Sequence, residues 1–448
     1  MLGEFQRKER IQLLTRRKKT HGQTHAFDIF KSTRIRSCMP VFDGQDPRNV
    51  GFASSGATHI INESGLDVEL VPANKVSGYD LVMVSMLSCI DAERMMMTWR
   101  RRPDVGKIII GGQGCVSIRG VSALADVAHF GRAEGIVREI LDGMPGQSTW
   151  TAAHDPLISG CYSMRPPNKL LPGEIAIGCR NRCTYCQYTY TRPYISPSGV
   201  GYANGADLKT PEEDWRGLDI TGPGRYTTAL DGWSDETRKR VLKHVRDEHV
   251  RAKLLDVIGH RWSKTVVLKV FQIVGYPWET PDTVRADIAA FAELLHSIDE
   301  ASPSDGGRVL IMVCHTPFSP EPLTPMQHCA AQLTNWRGVV DSLPVPRQIY
   351  TGKHVEAFCL PQIPGPYTLA KRCAIQRGCD VDAFRSGVDA ADRLKSSVTA
   401  MDRAEEFLRV AGDWMTAGER ETEPSRYLAG TAPIAGLSRR FAPPQACT

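Results

Sequence analysis

Short apolar runs suited to buried strands alternate with longer stretches of helical periodicity, and they do so twice along this 448-residue chain. Between residues 47 and 145 the runs DLVMVSML (80–87), KIIIGG (107–112) and DVAHFG (126–131) are separated or followed by DAERMMMTWRRR and AEGIVREILDG. A strand covered on both faces reads as a nearly continuous apolar run, and a helix between two such strands makes them parallel. This block therefore predicts a doubly wound α/β sheet. Residues 146–172, rich in Pro, Gly and Ser, break the pattern and read as a linker. Over 173–345 it resumes with EIAIG, YTTALDG, TVVLKVFQIVG with the helix DTVRADIAAFAELLHSI, and RVLIMVCHTPF. Residues 346–448 read as mainly helical, with DAADRLKSSVTAMDRAEEFLRVAGDWM as one long helical pattern before a polar tail.

A hydrophobic content of 42% with 23% charged residues is that of a globular chain long enough for two or three cores. No run of eighteen apolar residues occurs and the first residues are charged, so the expectation is a cytoplasmic protein with no membrane partner. Seven of the 55 basic residues but only two of the 50 acidic ones fall in the first nineteen positions, which places the whole formal excess of +5 there. Residues 1–46 read as a basic arm suited to nucleic-acid phosphates, or as a solvated tail.

Thirteen cysteines are scattered without the spacing of a secreted disulfide framework, except at CRNRCTYC. There Cys179, Cys183 and Cys186 are spaced C-x3-C-x2-C directly after a strand-like run. A closed zinc site takes four protein ligands, so three thiols need a distant fourth to build one. Three thiolates on a tight loop suit a 4Fe-4S cluster whose fourth iron stays open to an exchangeable ligand. Arg180 and Arg182 would offset the charge of such a cluster.

The motif, with an aromatic residue before its last cysteine, resembles the signature of radical S-adenosylmethionine enzymes. CRNRCTYCQYTYTRPYI, including Arg192 and Pro193, is similar to the cluster loop of the subgroup with an N-terminal cobalamin-binding-like, Rossmann-like domain. TTALDGWSDETRKRV, LKVFQIVGYPWETPDTV and HTPFSPEPLTPMQ resemble that subgroup's later barrel strands in the same order. The likeness covers about residues 47–330. It implies a Rossmann-like domain at 47–145, a partial (β/α) barrel at 173–345, a 4Fe-4S cluster on the three cysteines, and S-adenosyl-L-methionine as cofactor. It also implies an electron donor of flavodoxin or ferredoxin type. The backbone at Tyr185 would hold adenine, Asp231 the ribose hydroxyls and Arg238 the carboxylate, with Ile273 and Gly275 packed against adenine. Reductive cleavage of S-adenosylmethionine would then supply a 5'-deoxyadenosyl radical that takes hydrogen from substrate. Cys314 and His315, at the end of RVLIMVCH, are candidates to deliver a hydrogen atom or proton, or an ordinary core pair.

The chain also departs from the family. The Gly-Gly-Glu strand end is not evident, with only TGPG at 221–224 nearby, and the interval from Cys186 to TTALDG is short for two β/α units. In place of D-x-H-x-x-G around His59 stand Ala57 and Asn62, so cobalamin is not expected. The leading expectation is a cobalamin-independent radical enzyme that rearranges or modifies a nucleic-acid base or its substituent. Three alternatives stand beside it: a cobalamin-dependent methyltransferase, a methylthiotransferase-like enzyme with a second cluster on Cys38, Cys89 and Cys115, and a non-catalytic binding module.

Overall fold

The computed structural model describes residues 35–45, 64–86, 88–112, 121, 124–129, 149–151, 181, 183–187, 224–322, 324–327, 329–360, 363–394 and 398–412. The chain divides into two compact units, Met1–Ser163 and Met164–Thr448.

The first unit holds a sheet of six strands, β1 (Ser37–Val41), β2 (Val68–Pro72), β3 (Leu81–Ser85), β4 (Lys107–Gly111), β5 (Val127–His129) and β6 (Thr149–Thr151). Their spatial order is β2-β1-β3-β4-β5-β6. The first five run parallel and β6 closes the edge antiparallel to β5. This is the order of a doubly wound α/β domain, whose strand sequence reverses between β1 and β3. Met39, Val68, Leu81, Met83, Ile109 and Val127 form the core of one face. Helix α1 (Cys89–Thr98) follows β3 and is capped by Ser88, whose hydroxyl accepts from the Ile90 N–H while Asp91 reaches back to the Ser88 N–H. This reciprocal pairing satisfies backbone donors that the first helical turn leaves open.

Two boundaries read from sequence move. Ser37–Val41 lies inside the stretch read as an arm, yet β1 is a central strand paired with β2 and β3. SCMPV is short and broken by a proline, so it lacks the long apolar run that marks β3 and β4. Residues 1–34, which carry the basic cluster, lie outside the described residues, as do His59, Cys115 and Cys179.

The second unit contains a five-stranded sheet ordered β10-β11-β9-β8-β7. Its strands are β7 (Arg225–Ala229), β8 (Val266–Val274), β9 (Val309–Pro317), β10 (Gln348–Thr351) and β11 (Val355–Cys359). Strands β7, β8, β9 and β11 are parallel and β10 returns antiparallel on β11. The expected helical region after 345 therefore begins with two strands of this sheet. Helices α2 (Asp235–Arg240), α3 (Asp247–Gly259), α4 (Pro281–Ala301) and α5 (Trp336–Asp341) follow the strands in chain order. A single core joins Val266, Leu268, Val270 and Val274 of β8 with Val309, Ile311 and Val313 of β9 and with the inward residues of α3, α4 and α5.

Beyond the sheet lie α6 (Pro366–Gln376), α7 (Val381–Asp392) and α8 (Ala400–Ala411). The long helix expected across 389–415 is two helices. α7 ends at Asp392, and Thr399 restarts the chain with a capping box in which its hydroxyl accepts from the Asp402 N–H at 3.1 Å.

Candidate functional site

The backbone turns that follow β7, β8 and β9 converge on the short segment holding Cys183 and Cys186. The segment is tight: the Cys186 N–H donates to the Cys183 carbonyl at 3.1 Å. Thr184 fastens it on both sides, its N–H donating to Val241 O at 3.0 Å and its carbonyl accepting from the Met326 N–H at 3.1 Å. Val241 ends helix α2 and Met326 lies past β9; the contacts of Tyr185 with Tyr276, just past β8, and of Gln187 with Glu321, just past β9, set the thiol loop at the C-terminal edge of the parallel strands. Gln187 adds two more, from its backbone N–H to Glu321 Oε2 at 2.9 Å and from its side-chain amide to Pro322 O at 3.1 Å. Burial pushes the Glu321 carboxyl up to about 7, against the pull of the Gln187 N–H.

The turn after β8 contributes aromatic and acidic groups. Tyr185 and Tyr276 lie with ring centroids 6.0 Å apart, and the Tyr276 hydroxyl donates to Asp231 O at 2.7 Å. Both phenols are pushed well above their ordinary range, first by burial and then by the nearby Asp231 carboxylate, with Cys183 and Cys186 adding to the effect. Tyr276 in turn stacks on Trp278 at 5.1 Å. Glu279 Oε2 accepts from the N–H groups of Gly275 (2.7 Å) and Tyr276 (3.1 Å), which pins the GYPWE turn. Burial raises the Glu279 carboxyl to about 7, those backbone donors opposing it.

The residues expected at the site divide into those the fold brings together and those it does not. Cys183, Cys186 and Asp231 all lie close enough to Tyr185 to bear on its phenol. Asp231 sits just beyond β7 with a left-handed backbone, φ 58°, and its Oδ2 takes a hydrogen bond from Lys243 Nζ at 2.8 Å. Ile273 faces the partly exposed side of β8, level with Thr316. Gly275 has φ +80°, and a Cβ there would stand 2.5 Å from the indole nitrogen of Trp336. The close approach that this glycine permits is therefore to Trp336.

Arg238 requires a correction. It is fully buried, and its Nε donates to Val245 O at 2.8 Å while Nη1 donates to Gly232 O (3.0 Å) and Trp233 O (2.9 Å). Nη2 pairs with Asp235 and Asp247. A guanidinium has five N–H donors, and these five acceptors take all of them, so none remains for a ligand carboxylate.

Cys314 and His315 also part company, because successive residues of a strand point to opposite faces. His315 is 2% exposed and lies against Trp233 at 5.2 Å, on the face covered by helices. Burial lowers its imidazole to about 3, so it stays neutral. Among the described residues neither ring nitrogen has a hydrogen-bond partner, and the same holds for the side chain of Gln272, level with it on β8. His315 is thus a core residue, while Cys314 is partly exposed on the other face.

In the first unit Cys38 is wholly buried and its thiol is pushed up to about 12, chiefly by burial. It is level with Val82 at the start of β3, whereas Cys89 follows the end of that strand. Among the described residues no three His, Cys, Asp or Glu side chains form a metal-binding group; Cys179 is not among those residues.

Sequence reading did not find Glu279, Tyr276 or Glu321. Their signal was present in outline: an acid four residues after a strand-terminal glycine in GYPWE, and a lone acid between prolines in SPEPLTP.

No family model and no curated protein matches the chain. Among solved structures, the apo, selenomethionine-labelled cobalamin-dependent S-adenosylmethionine radical enzyme OxsB aligns with a TM-score of 0.23 and 10% identity. The alignment covers 85% of this chain, which spans 55% of that protein's length. No described helix is long and apolar enough to cross a membrane.

Proposed function

We propose that this chain is a radical S-adenosylmethionine enzyme of the α/β class, with a 4Fe-4S cluster held by Cys179, Cys183 and Cys186. The observation that carries the reading is the anchoring of the Cys183–Cys186 turn to Val241 and Met326, at the C-terminal edge of parallel strands. In α/β sheets that edge is where ligands bind, in the crevice formed by the loops.

The two described thiols, Cys183 and Cys186, support the group. The motif's donor set is thiol only, the choice for iron–sulfur ligation, and the turn places Cys183 and Cys186 one hydrogen-bonded turn apart. When bound, the cluster and S-adenosylmethionine would together supply a 5'-deoxyadenosyl radical able to take hydrogen from an unactivated carbon. The chain's own residues do the rest. Thr184 and Gln187 fix the ligand loop from both ends. Tyr185 and Tyr276 would offer an aromatic wall for adenine, and the Asp231 carboxylate, held by Lys243, would accept from the ribose hydroxyls. Arg238 has no part in ligand binding and braces the turn that carries Asp231. The substrate we favour is a nucleic-acid base or its substituent, on the strength of the basic residues near the N-terminus, and a flavodoxin- or ferredoxin-type protein would supply the electron.

Anaerobic reconstitution tests the proposal. The wild type should take up about four irons per chain, show thiolate-to-iron absorption, and release 5'-deoxyadenosine from S-adenosylmethionine on reduction. Cys183→Ala and Cys186→Ala should each lose all three properties and remain folded. Full iron content and 5'-deoxyadenosine release in either variant would overturn the assignment.

A further inference from the structure

Helices seal one face of the β7–β8–β9 sheet, whereas the described residues of the other face keep partial exposure. On that second face lie Thr227 and Ala229 of β7, Lys269, Phe271 and Ile273 of β8, and Met312, Cys314 and Thr316 of β9, all partly or well exposed. The register sets them in rows. Thr227, Lys269 and Met312 are level, and Ala229, Phe271 and Cys314 form the next row toward the edge that carries the cysteine loop.

Two features of these rows need explanation. Phe271 is 40% exposed although β8 lies between two parallel neighbours, a position whose faces are ordinarily covered. Beside it Lys269 has no acidic partner among the described residues, and its ammonium lies 5.0 Å from the Phe271 ring; burial raises the Cys314 thiol above its ordinary range, and the charge of Lys269 opposes that rise. A lone ammonium over an apolar floor, flanked by the small Ala229, is a complement for a ligand that carries a negative group on an apolar or planar body.

We propose that this face binds the substrate through an anionic group, a phosphate or a carboxylate, with Lys269 as its counter-ion, Phe271 as its floor and Cys314 beside the bound molecule. The proposal rests on the radical-enzyme reading for what is done to that molecule, but its test does not.

Cys314 serves as the reporter. Two disulfide reagents of the same chemistry are compared, the dianionic 5,5'-dithiobis(2-nitrobenzoate) and the neutral 2,2'-dithiodipyridine. With each, the Cys314 thiolate attacks the reagent disulfide, forming a protein mixed disulfide and releasing the other half as a thiolate or thione. Labelling is quantified on the Cys314 peptide by mass spectrometry, on the purified chain without cluster or S-adenosylmethionine. Lys269→Met should lower the ratio of anionic to neutral labelling rates by roughly two- to fivefold, as loss of one nearby cation in a water-facing site implies. The neutral reagent removes any change in thiolate fraction from that ratio, and Lys269→Arg should restore it. Inorganic phosphate or acetate should protect Cys314 from both reagents in the wild type, and which of them protects at lower concentration identifies a phosphate- or a carboxylate-bearing substrate. A ratio unchanged in Lys269→Met, protection by neither anion, or a Cys314 inert to both reagents would each overturn the proposal. Iron uptake by the same protein preparation is independent of all three, so failure here is separable from failure of the cluster assignment.

Discussion

Residues one apart on β8 and β9 meet opposite surroundings. Leu268, Val270, Ile311 and Val313 face the helices and are almost wholly buried, while Lys269, Phe271, Met312 and Cys314 keep contact with solvent. The covered face shows what holds the unit together: aliphatic side chains between sheet and helices, with one fully satisfied arginine at the rim. Among the described residues the other face carries a charge without an acidic partner, a partly exposed thiol and an exposed aromatic ring. In a parallel sheet that asymmetry separates residues needed for stability from residues available for a ligand.

Removing Arg238 tests the covered side most severely. Arg238→Met leaves three carbonyls without their donor and two half-exposed carboxylates without a partner, which together should cost about 3–5 kcal/mol. Denaturant unfolding should show a loss of that size, and Arg238→Lys should recover little of it, because an ammonium cannot reproduce the fork. A loss below about 1 kcal/mol, the range of an exposed ion pair, would return Arg238 to the list of possible ligand residues.

Neighbours on β9 give the most direct contrast. Ile311→Ala empties space between β9 and the helices and should cost about 2–5 kcal/mol, whereas Cys314→Ala should cost under about 1 kcal/mol. Equal losses in the two variants would mean that the second face is also packed, and the anion site would lose its basis.

How much of this could be read from sequence depends on whether the cause was local. Strands β3, β4, β8 and β9 were legible because apolar runs report burial directly. β1 was not, since SCMPV derives its place from pairing with β2 and β3 rather than from its own composition. The cysteine loop was legible by spacing and type. Arg238 was misread because three of its acceptors are backbone carbonyls, which no sequence displays. Cys314 and His315 were grouped by adjacency, although the two-residue period of a strand already separates them.

Gly275 should show a smaller effect at the junction of the two faces. In Gly275→Ala the left-handed backbone alone costs roughly 1–3 kcal/mol, and the new methyl meets Trp336. Combining it with Trp336→Phe separates the two contributions: the double variant should lose less than the sum of the single ones, as expected for groups in contact. Strict additivity would show that the indole does not constrain this position.

The smallest effect is a dependence on pH from two buried groups, His315 on the covered face and Glu279 in the turn after β8. The native His315 imidazole stays neutral down to about 3, while in the unfolded chain it takes up a proton below its ordinary 6.5. As pH falls from about 6.5 toward 3 the unfolded state therefore gains a proton that the native state does not, and stability drops by up to ~1.4 kcal/mol per pH unit. Glu279 acts in the opposite sense. Its native carboxyl holds a proton up to about 7 and its unfolded one only to 4.5, so its contribution to stability rises as pH falls from 7 to 4.5. The two partly cancel, and a stability curve of the wild type alone would conceal both. The informative quantity is the difference between wild type and His315→Leu, measured by denaturant unfolding from pH 7.5 to about 5. Relative to the variant, the wild type should lose stability steadily below about 6.5, and relative to Glu279→Gln it should gain stability as pH falls below about 7. A flat difference for His315→Leu would mean that the imidazole is protonated in the folded protein, which requires a partner or access to water and would remove His315 from the covered face.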